Sequence, residues 1–436
     1  MAKRQAVLLI HGVGEQRPMD TLRGFAEAVW STYADIHNKY AGTSLWSKPD
    51  SVSRSFELRR LTTPQNTAGV ETHFYEFYWA HLMKGTKYGH VWAWARSLLL
   101  RWPTSVPKHL FWVYIFIWLL ILAGGALMAY FGWCMTEDKS GVPTWVAFGA
   151  SLATPIAAFF VLKVIGDAAR YLHIAPENIQ SRHEIRQMGV DLLKELHDPS
   201  RRYDRIIVVG HSLGSVIGYD ILTHAWIKFH ERHAQGANAM AALDQLEELS
   251  RDPRADPDKI PAAQRAYFEE MKANGNLWRV TDFITLGSPL AHAEILLAKD
   301  GPDLRQKQAD REFPRCPPEL EDVRRGNEMV RRVGYESIQG NNESLRIPHH
   351  AAVFGPTRWT NLYMPESFML WGDLIGGPVR PVMGPGVRDI AVSTSVRGGF
   401  LAHTEYWTLP GDGTLPESVT ELRKALDLTD GPVKAE

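Results

Sequence analysis

The stretch RIIVVGHSLGSVIGYDIL, Arg205–Leu222, sets one serine between two glycines directly after an apolar run. The run Arg205–Gly210 reads as a buried strand, and Ile217, Ile221 and Ala225 recur every four residues as on one face of a helix. Ser212 therefore falls on the corner between a strand and a helix. Gly210 and Gly214 remove side chains that would collide across so sharp a turn. A corner of this kind holds a hydroxyl clear of the sheet, beside a helix N-terminus that favours negative charge. The pattern G-x-S-x-G is short enough to arise by chance, so its weight comes from the strand and helix around it.

Five further apolar runs accompany this one: Ala6–Ile10, Thr72–Ala80, Thr281–Gly287, Trp359–Met364 and Asp389–Ser395. Helical patterns separate several of them, one opening at Pro176 and Glu177 and continuing to about His197. Another begins at Pro416 with Val419, Leu422 and Leu426 on one face. Strands alternating with helices predict an α/β fold, a mostly parallel sheet with helices on both faces.

The chain has 436 residues, enough for a large core, and its 48 basic and 49 acidic side chains nearly cancel. No bulk charge argues for a nucleic-acid partner. Cys134 and Cys316 are too few for a disulfide framework and lie in no metal-ligand spacing. Lys3 and Arg4 precede AVLLI at the N-terminus, but five apolar residues are too few for a secretory signal and read as a strand.

Two segments break the alternation. Leu110–Thr136 is 27 residues without a charge, and Gly141–Leu162 is 22 more. Each exceeds the roughly 20 residues that span a bilayer core. The short link TEDKSG predicts an inserted hydrophobic helical hairpin that crosses and returns. Arg96, Arg101 and Lys108 before it and Lys163 and Arg170 after it put both ends on the cytoplasmic side. Upstream, HVWAWARSLLLRW reads as an interfacial helix whose arginines reach toward headgroups. The expected partner is the lipid bilayer, through residues 110–162, with the rest of the protein cytoplasmic.

A serine needs a base to take its proton, and an imidazole needs a carboxylate to hold its tautomer. His403, in RGGFLAHTEYW after the last strand, is the expected base. Of the carboxylates after WTNLYM, Asp373 in WGDLIGGPV leads and Glu366 is the reserve; Asp389 starts the last strand, at the wrong end for catalysis. An oxyanion also needs backbone donors. These are expected from Leu213, after the serine, and from the loop HGVG, where His11 and Gly12 fold the chain back to expose the amide of Val13, with Gly14 as an alternative.

HGVG, GHSLG (with His211 beside the serine), TLGSPL, WTNLY…GDLIGGP and AHTEYW together resemble the lipase-type branch of the α/β-hydrolase superfamily. The similarity is closest to the GPI-inositol deacylase-like serine esterases. It covers the strand-bearing parts of the chain, with the motifs in the family's order. The resemblance implies an α/β-hydrolase fold and acyl-ester hydrolysis through Ser212, Asp373 and His403, with no metal or organic cofactor. The sequence departs from the family in the hairpin after the second strand and in the spacer between WTNLY and Asp373.

On this reading the hydrolase core comprises residues 1–80, 176–223, 277–299 and 348–436. Residues 81–175 carry the interfacial helix and hairpin, 224–276 a polar helical insertion or lid, and 300–347 a second polar insertion. The expected activity is that of a membrane-anchored serine esterase acting on lipid acyl esters. A thioesterase acting on acyl-proteins or acyl-carriers would use the same triad, and a catalytically silent membrane scaffold is the reading from another class.

Overall fold

The computed structural model describes residues 3–428 except 14–16, 32–43, 54, 84–95, 97, 107–110, scattered positions between 113 and 128, 130–169, 173–175, 230–234, 237–239, 253, 255, 326, 339–343, 366–371, 374, 394–398 and 412–413. Strands β1 (Lys3–Ile10), β2 (Trp46–Pro49), β3 (Arg59–Thr62) and β4 (Val70–Phe77) come first. They are followed by β5 (Arg205–His211), β6 (Gln235–Gly236), β7 (Val280–Leu286), β8 (Glu321–Arg325) and β9 (Glu328–Arg332). The last are β10 (Gly334–Ile338), β11 (Ser344–Pro348), β12 (Arg358–Tyr363) and β13 (Val387–Ala391).

Eight of these build one sheet in the order β13-β12-β7-β5-β1-β4-β3-β2. All pairings from β13 across to β4 are parallel, while β3 and β2 add antiparallel at the edge. The six expected runs form the parallel part. The edge pair went unread because β2 is largely exposed and β3 half so, leaving no apolar run to find.

The parallel strands are buried on both sides because successive side chains alternate between faces. Ala6, Leu8, Ile10, Ile206 and Val208 join a core under the helices Pro176–Leu196, Leu213–Phe229 and Ile260–Ala273. Val7, Leu9, Ile207, Val209 and Ile284 join a second core under Asp20–Ala26 and Glu417–Ala425. Full burial of each such side chain is worth about 1.5–3 kcal/mol, which is why a polar residue is tolerated here only for a reason.

The stretch expected as a polar insertion at 224–276 supplies two packed amphipathic helices. Ala241–Arg251 buries Leu243 and Leu246, and Ile260–Ala273 buries Ile260, Tyr267, Phe268 and Met271. Residues 300–347 contain the ribbon β8–β9 and the pair β10–β11, which β6 joins.

The hairpin falls almost wholly outside the described residues; Gly141–Leu162 does so entirely. Among the described residues no helix is long and apolar enough to cross a membrane. Those described between 111 and 129 are helical, with Trp112 and Leu122 exposed at 69% and 62%. Upstream, Arg101 does not reach outward as expected. Its guanidinium donates to the Lys299 carbonyl at 2.6 Å and to that of Ile295 at 2.8 Å, the latter in the last turn of the short helix Ala293–Leu296, where carbonyls need outside donors.

Candidate active site

From β1 the chain crosses to β4 on one side, and β5 then lies against β1 on the other. The connections leaving the C-terminal ends of β1 and β5 therefore part, which opens a crevice at that edge of a parallel sheet. Ser212 and the loop from His11 both sit at this point.

Ser212 has a φ of 53°, a left-handed conformation that costs a non-glycine residue about 1–2 kcal/mol. Surrounding bonds hold it there. Ser212 N–H donates to the Leu286 carbonyl at 2.9 Å, and its own carbonyl accepts from Ser215 N–H at 2.9 Å and Ser215 Oγ at 2.6 Å. Ser215 Oγ also meets Ser288 Oγ at 2.7 Å. The glycines are needed for close approach: a Cβ on Gly210 would stand 2.5 Å from Ser215 Cα, and one on Gly214 would strike the Ile10 carbonyl.

Asp373 is fully buried, and its Oδ1 accepts from the N–H groups of Ile375 and Gly376, each at 2.9 Å. His403 Nδ1 lies 2.9 Å from the same oxygen, and Tyr406 O–H donates to Oδ2 at 2.7 Å. Burial opposes ionisation of Asp373, but the bonds from His403, Gly376 and Tyr406 outweigh it and hold the carboxyl down at about 2. Against a carboxylate, Nδ1 must carry the proton, which leaves a lone pair on Nε2. That Nε2 is buried with no hydrogen-bond partner among the described residues, Ser212 Oγ included.

His211 ties this histidine to the elbow. Its Nε2–H donates to the His403 carbonyl at 2.8 Å, and the two rings are 5.1 Å apart. Burial, and then the neighbouring His403, keep His211 neutral by holding its pKa down at about 3.

On the other side of the crevice, His11 stacks on Trp79 at 5.1 Å, and Trp79 Nε1–H donates to the His11 carbonyl at 3.0 Å. Burial above all holds the His11 pKa down at about 4, so the ring is neutral and its Nδ1–H donates to the Gly12 carbonyl at 2.8 Å. The Gly12 carbonyl and the Val13 amide belong to one planar peptide. Fixing the first therefore aims the second. A Cβ on Gly12 would stand 2.8 Å from Ser212 Cβ, so the two loops touch. Leu213 opens the helix Leu213–Phe229, where first-turn amides have no partner within the helix.

Ser212, Asp373, His403, His11, Gly12, Gly210, His211, Val13, Leu213 and Gly214 are thus drawn to one edge of the sheet. Gly14 and Glu366 lie outside the described residues. Asp389 was expected at the start of the last strand; it lies within β13 and supports the acid loop. It accepts from the amides of Val379 and Arg380 at 3.0 and 2.9 Å and from Asn361 Nδ2 at 2.8 Å. Tyr406 was missed although it stands in the quoted AHTEYW, because a tyrosine carries no sign of its partner. Among the described residues no cluster of histidine, cysteine and carboxylate side chains could hold a metal ion. No family model, no curated protein and no solved structure matches this chain.

Proposed function

We propose that this chain is a membrane-anchored serine hydrolase of the α/β-hydrolase type that cleaves lipid acyl esters. The observation that carries the reading is the buried Asp373–His403 pair, with its imidazole lone pair at Nε2, beside a serine held in a left-handed corner. Ser212 Oγ attacks the ester carbonyl carbon while its proton passes to His403 Nε2, and Asp373 stabilises the imidazolium. The tetrahedral oxyanion accepts from the amides of Val13 and Leu213. Collapse breaks the bond to the alcohol, which leaves with the proton from Nε2. Water then attacks the acyl-enzyme, its proton goes to Nε2, and the acid departs as Ser212 regains its hydrogen. The bond between Ser212 Oγ and Nε2 forms as substrate binds, since such contacts tighten in the Michaelis complex.

Two features support a lipid substrate. A cleft of about 900 Å³ opens beside Tyr78, whose ring meets that of His11 at 5.4 Å, and it sets Pro18, Phe56, Leu58, Phe77 and Leu82 among the carboxylates of Glu57, Glu76, Glu184, Asp191 and Glu195. The uncharged runs, with Trp112 and Leu122 exposed, suit contact with a bilayer.

Labelling with a fluorophosphonate tests the enzyme reading. The wild type is expected to label and Ser212→Ala is not; a folded wild type that stays unlabelled supports the silent scaffold instead. Deleting Leu110–Leu162 is expected to impair turnover of bilayer lipids more than of short soluble esters, and equal losses would defeat the lipid assignment. Faster turnover of acyl-thioesters than of oxygen esters would move the assignment to a thioesterase.

A further inference from the structure

Next to that cleft, with which it shares His183 and Gln187, a groove of about 550 Å³ lies between the helices Pro176–Leu196 and Leu213–Phe229. Arg182 and Arg186 stand one turn apart on the first helix, and His224 and Lys228 one turn apart on the second. Among the described residues no carboxylate lines the groove. The carboxylates beside it are already engaged: Asp191 accepts from Gln187 Nε2 at 2.9 Å, and Asp220 Oδ2 accepts from Arg186 Nε at 2.9 Å, Arg186 Nη2 at 2.6 Å and Tyr171 O–H at 2.7 Å. Arg182 and Lys228 have no ion-pair partner among the described residues. Arg182 lies 5.6 Å over the Tyr171 ring, and its Nε is buried without a hydrogen bond.

A partly buried cation without an anion is held at a cost that an incoming anion removes. Burial, and then Arg186, lower the pKa of Arg182 from its ordinary value, and the attraction of Asp220 offsets this only in part. The groove is apolar as well as basic, with Ile179 and Ile227 exposed at 57% and 42%. A compact anion carrying an apolar tail matches both properties. A nucleic-acid backbone would instead need cations spread along a surface.

Chain position says where such a molecule would come from. The second uncharged run ends at Leu162, and Tyr171 packs against the groove nine residues later. Nine residues reach about 14 Å as a helix and about 30 Å extended, so the groove lies within reach of the headgroup layer. It is separate from the catalytic serine, since His224 and Lys228 stand about 17–22 Å along the helix from Leu213.

We propose that this groove binds the phosphate-bearing headgroup of an anionic phospholipid, with Arg182 and Lys228 on the phosphate and Ile179 and Ile227 against the first carbons of its chains. The proposal deepens the membrane reading and rests on it for the source of the lipid. Basic pockets beside membrane segments recognise headgroups in this way.

The test uses the full chain in neutral detergent and measures binding of dioctanoyl phosphatidic acid by calorimetry. Saturable binding is expected, weakened tenfold or more by Arg182→Gln with Lys228→Gln. Dioctanoyl phosphatidylcholine, with the same tails and no net charge, is expected not to saturate, and inorganic phosphate to bind at least tenfold more weakly. Undiminished binding in the double variant, equal binding of phosphatidylcholine or no saturable binding would each overturn the site. Equal binding of inorganic phosphate would overturn the lipid assignment. Lys228→Gln alone, an exposed change that folding tolerates, repeats the test with about a threefold loss if the double variant fails to fold. Carbonate extraction of the wild type and fluorophosphonate labelling report the membrane and hydrolase readings separately, so failure of either is distinguishable from failure of the groove.

Discussion

Asp373 and Glu76 are both buried carboxylates, one in the loop after β12 and the other near the end of β4, yet their surroundings push them in opposite directions. Asp373 takes bonds from Ile375, Gly376, Tyr406 and His403 and is held at about 2. Among the described residues Glu76 accepts only from the Met19 amide at 2.7 Å, and its Oε1 has no partner there. Burial pushes its pKa up to about 7, against that one bond and with some help from Asp20. Burial alone thus does not decide ionisation; the number of donors aimed at the carboxylate does. The Asp373 region is organised to keep a charge for a histidine. The Glu76 region uses its carboxyl to pin Met19, whose φ of 75° begins the helix Asp20–Ala26 after the β1 loop.

The sharpest way to break this contrast is Asp373→Asn, which keeps the shape and removes the charge. Without it, Nδ1 loses the partner that fixes the tautomer, and kcat on a soluble ester is expected to fall about 10³–10⁴-fold. A loss below tenfold would show that Asp373 is not the orienting acid. Next comes Gly287→Ala, at a φ of 56°, where a Cβ would stand 2.6 Å from Asp373 Oδ2 and 3.0 Å from His403 Nδ1. Backbone strain and overpacking together predict a stability loss of about 3 kcal/mol, read from denaturant midpoints.

Glu76→Gln tests the other half. The folded pKa of about 7 lies above the unfolded value, so between roughly pH 4.5 and 7 the folded state keeps a proton that the unfolded state has lost. Wild-type stability from this group therefore falls as pH rises through that window, by about 3 kcal/mol. Glutamine can still accept from Met19, so the variant is expected to match wild type near pH 5 and exceed it at pH 8. Parallel melting curves at both pH values would refute the assignment. The smallest effect is expected from Tyr406→Phe, which removes one of the bonds on Asp373 and should cost about 1 kcal/mol of stability. It should also lower turnover only modestly, since the bond to His403 remains.

The parallel strands could be read from residues because strands buried on both faces must be apolar throughout, as Ala6–Ile10 and Ile206–Val209 are. The serine corner could be read because a tight turn demands glycine at fixed offsets. Asp373 and His403, which the structure brings into contact, were expected from the order of motifs in the family the sequence resembles and from the loops that carry them. Tyr406, Asn361 and Asp389 could not be read in the same way. Their work consists of bonds to groups brought near only by folding, such as Asn361 Nδ2 to the Gly377 carbonyl at 3.0 Å. The cationic groove was equally hidden: Arg182 and Lys228 belong to different helices, and a charged residue on a helix surface ordinarily faces water.

What this sequence determined by itself was local and repetitive: which segments are apolar enough to be central strands, which helices have a buried face, and where a serine can stand on a turn. Only the tertiary structure decided which carboxylate stays charged and which is driven toward neutrality, and where cations are left without anions. Those outcomes depend on desolvation and on donors contributed by residues distant along the chain, and neither is a property of any segment alone.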